Sequence, residues 1–268
     1  VGEIVIGSVP YLNGKPLIHW FSDTEEGRAS GVRVVEAVPS KLAVMLERGD
    51  VAAALVSSFE LFRSPGLVYA PGVAVAADGP VLSVRMLSKV PIPEVRSVAL
   101  DTSSLTSVAL LKILLAEKFG LTPAYLPHPP DLERMLSEAN AALLIGDLGY
   151  RDYGPEFHAL DLGAGWKELT GLPFAYALWI GYPDRLTPDL AATLVRAREW
   201  GEAHLEDVAR AEFPRLSETY ERSHYYLTRV MRYAAGPREE EALRLFGAKA
   251  YAHGLLPAPP DIRSVRLP

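Results

Sequence analysis

The sequence predicts an α/β fold of two lobes with a ligand cleft between them and a helical C-terminal segment. Short apolar strands alternate with amphipathic helices through the first two-thirds of the chain. That alternation recurs as an internal repeat, and from Thr187 onward it gives way to helices. Alternating strands and helices imply a parallel sheet covered by helices, and a repeat of such a unit implies a second lobe.

Glu3–Gly7 (EIVIG) reads as a buried strand ending in a polar turn. Asn13 then precedes Gly14-Lys15-Pro16, and a proline early in a helix is tolerated because its missing N–H lacks a partner there anyway. Val32–Val38 is a second strand. Pro39-Ser40 opens a helix through Arg48 with Leu42, Met45 and Leu46 on one face and Gly49 as its stop. Val51–Val56 (VAAALV) is a fully buried strand followed by Ser57-Ser58, and the strand–helix–strand order implies parallel pairing.

Pro130–Asp147 superposes without a gap on Ser40–Ser57, Leu132 on Leu42, Leu136 on Leu46 and Ile145 on Leu55. Ser97–Leu110 repeats the strand, polar turn and helix of Ile4–Leu17. Two matches in the same order indicate a duplicated lobe, although βαβ units also resemble one another without duplication. Val81–Val90 followed by Pro91-Ile92-Pro93 is the expected crossing into the second lobe. Phe174–Ile180 followed by Gly181-Tyr182-Pro183 is the expected return. Residues 1–90 and 181–268 are thus assigned to lobe I and 91–180 to lobe II. The tail reads as helices over Pro188–Asp207, Ser217–Tyr233 and Pro237–His253, a scaffold packed on lobe I with no strand before its last few residues.

The 268 residues are 49% apolar and 22% charged, values of an ordinary globular chain rather than a disordered or fibrous one. Lys and Arg number 27 against 33 Asp and Glu, a net charge of −6, which argues against a nucleic-acid partner. An acidic protein binds an anion through local donors rather than through its overall field. The absence of cysteine excludes disulfides, thiol nucleophiles and thiolate metal sites. No apolar run approaches the length of about 18 residues that spans a bilayer, and the first residues lack the pattern of a secretory leader. A soluble, cytoplasmic protein without a membrane partner is therefore expected, while oligomeric state is not legible.

Ligands of open α/β sheets bind beyond the C-terminal strand ends, near helix N-termini. Those points carry Ser8, Tyr11 and Asn13 after the first strand and Ser57-Ser58 after the third. In the repeat they carry Asp101–Ser107 (DTSSLTS) and Gly146-Asp147. Hydroxyl, amide and free N–H donors at helix N-termini suit carboxylates or phosphates. Each residue alone could instead cap a helix, Ser103, Ser104 and Asn13 above all. A P-loop, a G-x-G-x-x-G turn, a G-x-S-x-G elbow and paired metal-ligand histidines are all missing. No metal or cofactor is therefore called for. His224-Tyr225-Tyr226 and Trp166 read as packing residues. Gly165–Pro173 reads as an ordered loop carrying an exposed Lys167.

The motifs S-V-P-Y-L-N-x-x-P-L at Ser8–Leu17, A-A-L-V-S-S at Ala53–Ser58 and G-P-V-x-S-V at Gly79–Val84 resemble those of the chorismate dehydratases of the futalosine route to menaquinone. D-T-S-S-x-T-S at Asp101–Ser107, L-I-G-D at Leu144–Asp147 and W-K-E-L-T-G-L-P-F-A-Y-A at Trp166–Ala177 extend the resemblance to about residue 180. It implies a type II periplasmic-binding-protein-like fold and a carbon–oxygen lyase that dehydrates chorismate to 3-[(1-carboxyvinyl)oxy]benzoate without a cofactor. It assigns catalytic roles to Asn13 and Ser83. Ser57, Thr106 and Ser107 become candidates for the two substrate carboxylates, with Ser8, Tyr11, Ser58, Ser104, Gly146 and Asp147 completing the binding site. The proton acceptor is either Asp147 or the substrate's own enolpyruvyl carboxylate. Two other readings stand beside this one: a solute-binding protein for a small carboxylate, and the sister enzyme acting on cyclic dehypoxanthine futalosine. The sister's Ser/Cys-Pro-Asn-Asp stretch is not seen here, nor is a histidine at the lobe II cleft.

Overall fold

The computed structural model describes residues 3–101, 103–216 and 218–267. The first lobe opens with β1 (Ile4–Ser8) and a 3-10 turn at Leu12–Leu17. Then come α1 (His19–Asp23), α2 (Glu25–Ala29), β2 (Val32–Glu36), α3 (Pro39–Arg48), β3 (Ala53–Ser57), α4 (Glu60–Arg63) and β4 (Val68–Ala77). The second lobe comprises β5 (Arg85–Ser88), β6 (Ser97–Asp101), α5 (Leu105–Phe119), β7 (Ala124–His128), α6 (Leu132–Glu138), β8 (Ala141–Leu144), α7 (Gly146–Tyr150), β9 (His158–Asp161) and α8 (Leu162–Thr170). The chain returns through β10 (Phe174–Gly181), then α9 (Pro188–Ala203), α10 (Leu205–Glu212), α11 (Tyr220–Tyr225), a π-helical turn (Tyr226–Val230), β11 (Met231–Arg232) and α12 (Pro237–Ala252).

Two sheets result, ordered β2-β1-β3-β10-β4-β11 and β7-β6-β8-β5-β9. In the first, β1 lies parallel between β2 and β3, and β10 runs antiparallel beside β3. In the second, β6 lies parallel between β7 and β8, and β5 runs antiparallel beside β8. The two lobes thus share one layout, as the internal repeat suggested. All five residues of β3 are buried, the signature of a strand covered on both faces. Helix α3 begins at Pro39 and stops where expected. Gly49 has φ 74°, and the Gly49 and Asp50 N–H groups donate to Leu46 and Met45 carbonyls at 3.1 and 2.9 Å.

The lobe boundaries differ from those expected. Arg85–Ser88 pairs with β8 and β9 in the second sheet, and Phe174–Gly181 pairs with β3 and β4 in the first. Both crossings therefore precede these strands, at residues 78–84 and 171–173, rather than following them. An apolar run of this length fits either sheet equally well, so periodicity alone cannot assign it. Two further expectations change. The stretch read as a loop at Gly165–Pro173 is largely helix α8, capped by the Asp161 carboxylate on the Ala164 N–H at 2.9 Å and ended by Gly171 at φ 74°. Lys167 is held by Asp78 at 2.5 Å. The helix expected over Ser217–Tyr233 breaks into α11, the π turn and β11, which pairs with β4 at Ala76 and Ala77; Ser217 itself lies outside the described residues. Helix α12 packs on both lobes rather than on lobe I alone: Phe246 lies against Phe174 of β10 at 4.9 Å and Trp166 of α8 at 6.0 Å between ring centroids, and Lys249 reaches Glu117 of α5 at 2.5 Å. Among the described residues no helix is long and apolar enough to cross a membrane.

Candidate active site

One cavity of about 60 Å³ lies between the lobes. Its wall is built from residues that follow strand ends: Val9, Tyr11 and Asn13 after β1, Ser57 at the end of β3, Ser104 and Ser107 after β6, and Ile145 and Gly146 after β8. Ser83 enters from the first crossing and Tyr176 from β10. The remainder of the wall is apolar, with Val56, Val75, Val81, Val84 and Met231. Among the described lining residues none is Asp, Glu, His, Lys or Arg. Nor does any group of three or more metal-ligating side chains converge among the described residues.

The loop carrying Ser83 is fixed by a single carboxylate. Leu82 has φ 63°, costly for a side-chain-bearing residue. Asp161 compensates by accepting the Val81 N–H at 3.0 Å and the Leu82 N–H at 2.7 Å, while also capping α8. Behind the cavity wall the Tyr226 hydroxyl donates to Ser83 Oγ at 2.6 Å and accepts from Asn13 Nδ2 at 3.4 Å. Tyr226 is the first residue of the π turn, and such turns recur at functional sites. Burial pushes its phenol far above the ordinary tyrosine range, so it remains a proton donor.

On the lobe II side, Ser104 caps the fifteen-residue helix α5 by accepting the Ser107 N–H at 3.3 Å, and its hydroxyl donates to Ser107 Oγ at 2.9 Å. The positive end of this helix faces the cavity. Gly146, at φ 59°, lies so close under the Tyr11 ring that a Cβ would stand 3.0 Å from it.

Four residues expected to bind substrate do not line the cavity. Ser8 is fully buried, its hydroxyl turned to the Val9 carbonyl at 3.4 Å. Ser58 donates to the Ala175 carbonyl at 2.9 Å. Thr106 is inserted from lobe II into lobe I: its N–H donates to Ser57 Oγ at 3.0 Å, and its hydroxyl contacts Ser57 Oγ and donates to the Tyr176 carbonyl at 3.2 Å. Asp147 faces away from the cavity and accepts the Leu12 N–H at 3.1 Å, and burial raises its pKa. Asp101 is likewise turned aside, accepting from the Ser103 N–H and hydroxyl at 2.8 and 2.6 Å, with its pKa raised by burial. The neighbouring Thr102 of that motif lies outside the described residues. Position at a strand end fixes where a residue is, whereas its side-chain direction is set by the next turn of chain. Tyr226, Tyr176 and Asp161 had not been singled out as site residues. No spacing marks Tyr226 or Asp161, which reach the site from distant stretches of the chain, whereas Tyr176 lies within the Trp166–Ala177 motif without a site role drawn from it.

Two α/β lobes joined by two crossings, with a cavity between them that carries polar groups at facing strand ends, define a two-lobed fold of the periplasmic-binding-protein type. Solved structures bear this out. An Archaeoglobus fulgidus protein superposes with a TM-score of 0.73 at 18% identity, covering 94% of this chain and 98% of that one. The periplasmic aliphatic sulphonate binding protein of Escherichia coli gives 0.70 at 17% identity, covering 100% and 94%. A Candida albicans protein with the generic periplasmic binding protein fold gives 0.67 at 11%, covering 100% and 99%. Within that class the chain belongs to the menaquinone biosynthesis family, which it matches over residues 4–252. It is 38% identical over 231 residues to the chorismate dehydratase of Thermus thermophilus, covering 79% of this chain and 82% of that protein.

Proposed function

We propose that the protein is a chorismate dehydratase, a hydro-lyase that converts chorismate to 3-[(1-carboxyvinyl)oxy]benzoate and water. The observation that carries this reading is the cavity wall. It presents Asn13 and Ser83, both bonded to one tyrosine hydroxyl, with no ionisable acid or base among the described lining residues apart from tyrosine. In the elimination the C3–H bond breaks, its electron pair becomes ring π density, and the C4–O bond breaks. The proton passes to an acceptor and the hydroxyl departs from C4, so that the sum is loss of one water. Aromatisation drives the step, so the protein has to orient a dianion and favour departure of the hydroxyl. With Asp147 turned away, the enolpyruvyl carboxylate of the substrate is the proton acceptor, held close enough for a high effective molarity. Ser83 and Asn13 hydrogen-bond the departing oxygen. Ser57, Ser104 and Ser107, with the positive end of α5, receive the carboxylates. As a biosynthetic enzyme acting on a dicarboxylate metabolite, the protein is assigned to the cytoplasm.

Incubation with chorismate, followed by mass and ultraviolet spectra, is the direct test. A product lighter by one water, with a benzoate-like spectrum and no pyruvate released, is expected. Chorismate recovered intact beside an active control enzyme would instead favour a binding protein for a small carboxylate, a role the fold also accommodates. Asp147→Asn is expected to keep its fold and at least a third of turnover. Abolished turnover with unaltered substrate binding would make Asp147 the base.

A further inference from the structure

Asn13 and Ser83 reach the cavity from different parts of the chain, yet they meet at one buried atom. Tyr226 is only 2% exposed and does not line the cavity. Its ring is stacked against Tyr150, with centroids 4.5 Å apart and planes tilted by 31°. The Tyr150 hydroxyl in turn donates to the Arg222 carbonyl at 2.8 Å, and Arg222 returns a bond to the Tyr150 carbonyl at 2.8 Å. The Tyr226 ring is thus packed on the α7 end of lobe II, which is itself hydrogen-bonded to α11.

The hydrogen-bond inventory of the three side chains then fixes a direction. The Asn13 amide nitrogen can only donate, so the Tyr226 oxygen accepts there and its single hydrogen is left for Ser83. Ser83 Oγ, having accepted that hydrogen, keeps its own hydrogen for another acceptor, and Ser83 lines the cavity. With its nitrogen on the tyrosine, the Asn13 amide keeps its oxygen turned from the Tyr226 hydroxyl. Without the phenol hydrogen, Ser83 could equally accept from the cavity as donate into it.

We propose that Tyr226 is a positioning residue for the dehydration, orienting Asn13 and setting Ser83 as a hydrogen-bond donor to the departing hydroxyl. This rests on the dehydratase reading above. Tyr226 touches no reacting atom and acts through the two side chains in front of it. The bonds it makes are aligned before reaction, so their effect falls on the developing charge of the leaving oxygen rather than on substrate affinity.

The test is a steady-state comparison of wild type, Tyr226→Phe, Ser83→Ala and the double variant with chorismate, with product affinity and thermal melting measured alongside. Phenylalanine keeps the stack on Tyr150 and removes one oxygen. Tyr226→Phe is expected to lower kcat about 10- to 100-fold with KM within about threefold, since loss of a positioned donor falls on the transition state. Product affinity should be retained. In the Ser83→Ala background the same substitution should cost clearly less than in wild type, because only its effect through Asn13 remains and residues acting as a unit are non-additive. Equal losses in both backgrounds, a change confined to KM, or wild-type kcat in Tyr226→Phe would each overturn the proposal. Installing 3-fluorotyrosine at position 226 gives a second variant that preserves ring and hydroxyl. It should turn over at no less than half the wild-type rate, and a loss as large as that expected for phenylalanine would count against the proposal even if Tyr226→Phe failed to fold. Wild type unable to dehydrate chorismate would overturn the functional reading, and this proposal with it. An active wild type with an unaffected Tyr226→Phe would overturn the proposal alone.

Discussion

At the scale of single residues, Gly146 carries two constraints at once. Its φ of 59° is the left-handed region, costing a residue with a Cβ roughly 1–2 kcal/mol. The Tyr11 ring lies over it, three ring atoms falling 3.0–3.3 Å from where a Cβ would stand. Gly146→Ala is therefore expected to lower Tm and, by displacing Tyr11 from the cavity wall, to raise KM several-fold. Melting curves and a substrate titration check both, and an unchanged KM would mean that the Tyr11 ring gives way without consequence. Asn13 and Ser83 could be named from the sequence because each sits in a local motif, Y-L-N or G-P-V-x-S-V. Tyr226 could not: its neighbours His224 and Tyr225 give the run an appearance of ordinary helix packing, and only the folded chain brings it to Ser83, 143 positions away. Asp161 was hidden for the same reason, since its role depends on a turn 80 positions upstream.

Among the elements, α1, α10 and the 3-10 turn that carries Asn13 are tied by one charged cluster. His19 places Nδ1 at 2.7 Å from Asp23 and Nε2 at 3.0 Å from Glu212. Lys15 of the 3-10 turn meets Glu36 of β2 at 2.5 Å and Glu212 at 3.7 Å, and Arg215 reaches Glu212 at 3.4 Å. Burial disfavours the charged imidazole, but the two carboxylates outweigh it and raise the His19 pKa. The His19 hydrogen bond is the main influence holding Glu212 below the usual carboxylate range. The signs follow from linkage. The His19 contribution is complete below its unfolded value of about 6.5 and fades as pH rises through the raised folded value. That of Glu212 is complete above its unfolded value of about 4.3 and fades as pH falls through the depressed folded value. The Tm difference between wild type and His19→Gln should thus be largest near pH 5.5 and shrink towards pH 9, as thermal denaturation across that range would show. A difference constant with pH would mean that the imidazole is not charged in the folded protein. The helix α3 that frames the cleft was legible to the residue, because a proline start, an apolar face and a glycine stop are all local signals. Helix α8 was not, because Gly171 and Pro173 resemble loop punctuation while the Asp161 cap also serves a distant turn.

For the whole molecule, the decisive feature is closure. The lobes touch through Tyr11 on Gly146, the Leu12 N–H on Asp147, and Tyr150 against Arg222. The space between them, about 60 Å³, is well below the roughly 300–1,000 Å³ of typical ligand pockets. Admitting a ten-carbon dianion therefore requires the wall to move, and parting of the lobes about the connecting segments 78–84 and 171–173 is the expected motion. Small-angle scattering should give a larger radius of gyration for the free protein than for the protein saturated with the benzoate product. Identical radii would require entry by side-chain movement alone.

The sequence by itself determined the alternation of strands and helices, the repeated lobe, the strand-end polar residues and the Asn13 and Ser83 motifs, because each is written within one turn, strand or helix. Tertiary structure alone decided which sheet claims β5 and β10, which strand-end hydroxyls face the cavity, and that Asp147 is a contact between lobes rather than part of the cavity wall. It also brought Tyr226 from the tail to the back of the site. These outcomes depend on side-chain direction and on pairing between segments far apart in the chain, and local pattern carries no information about either.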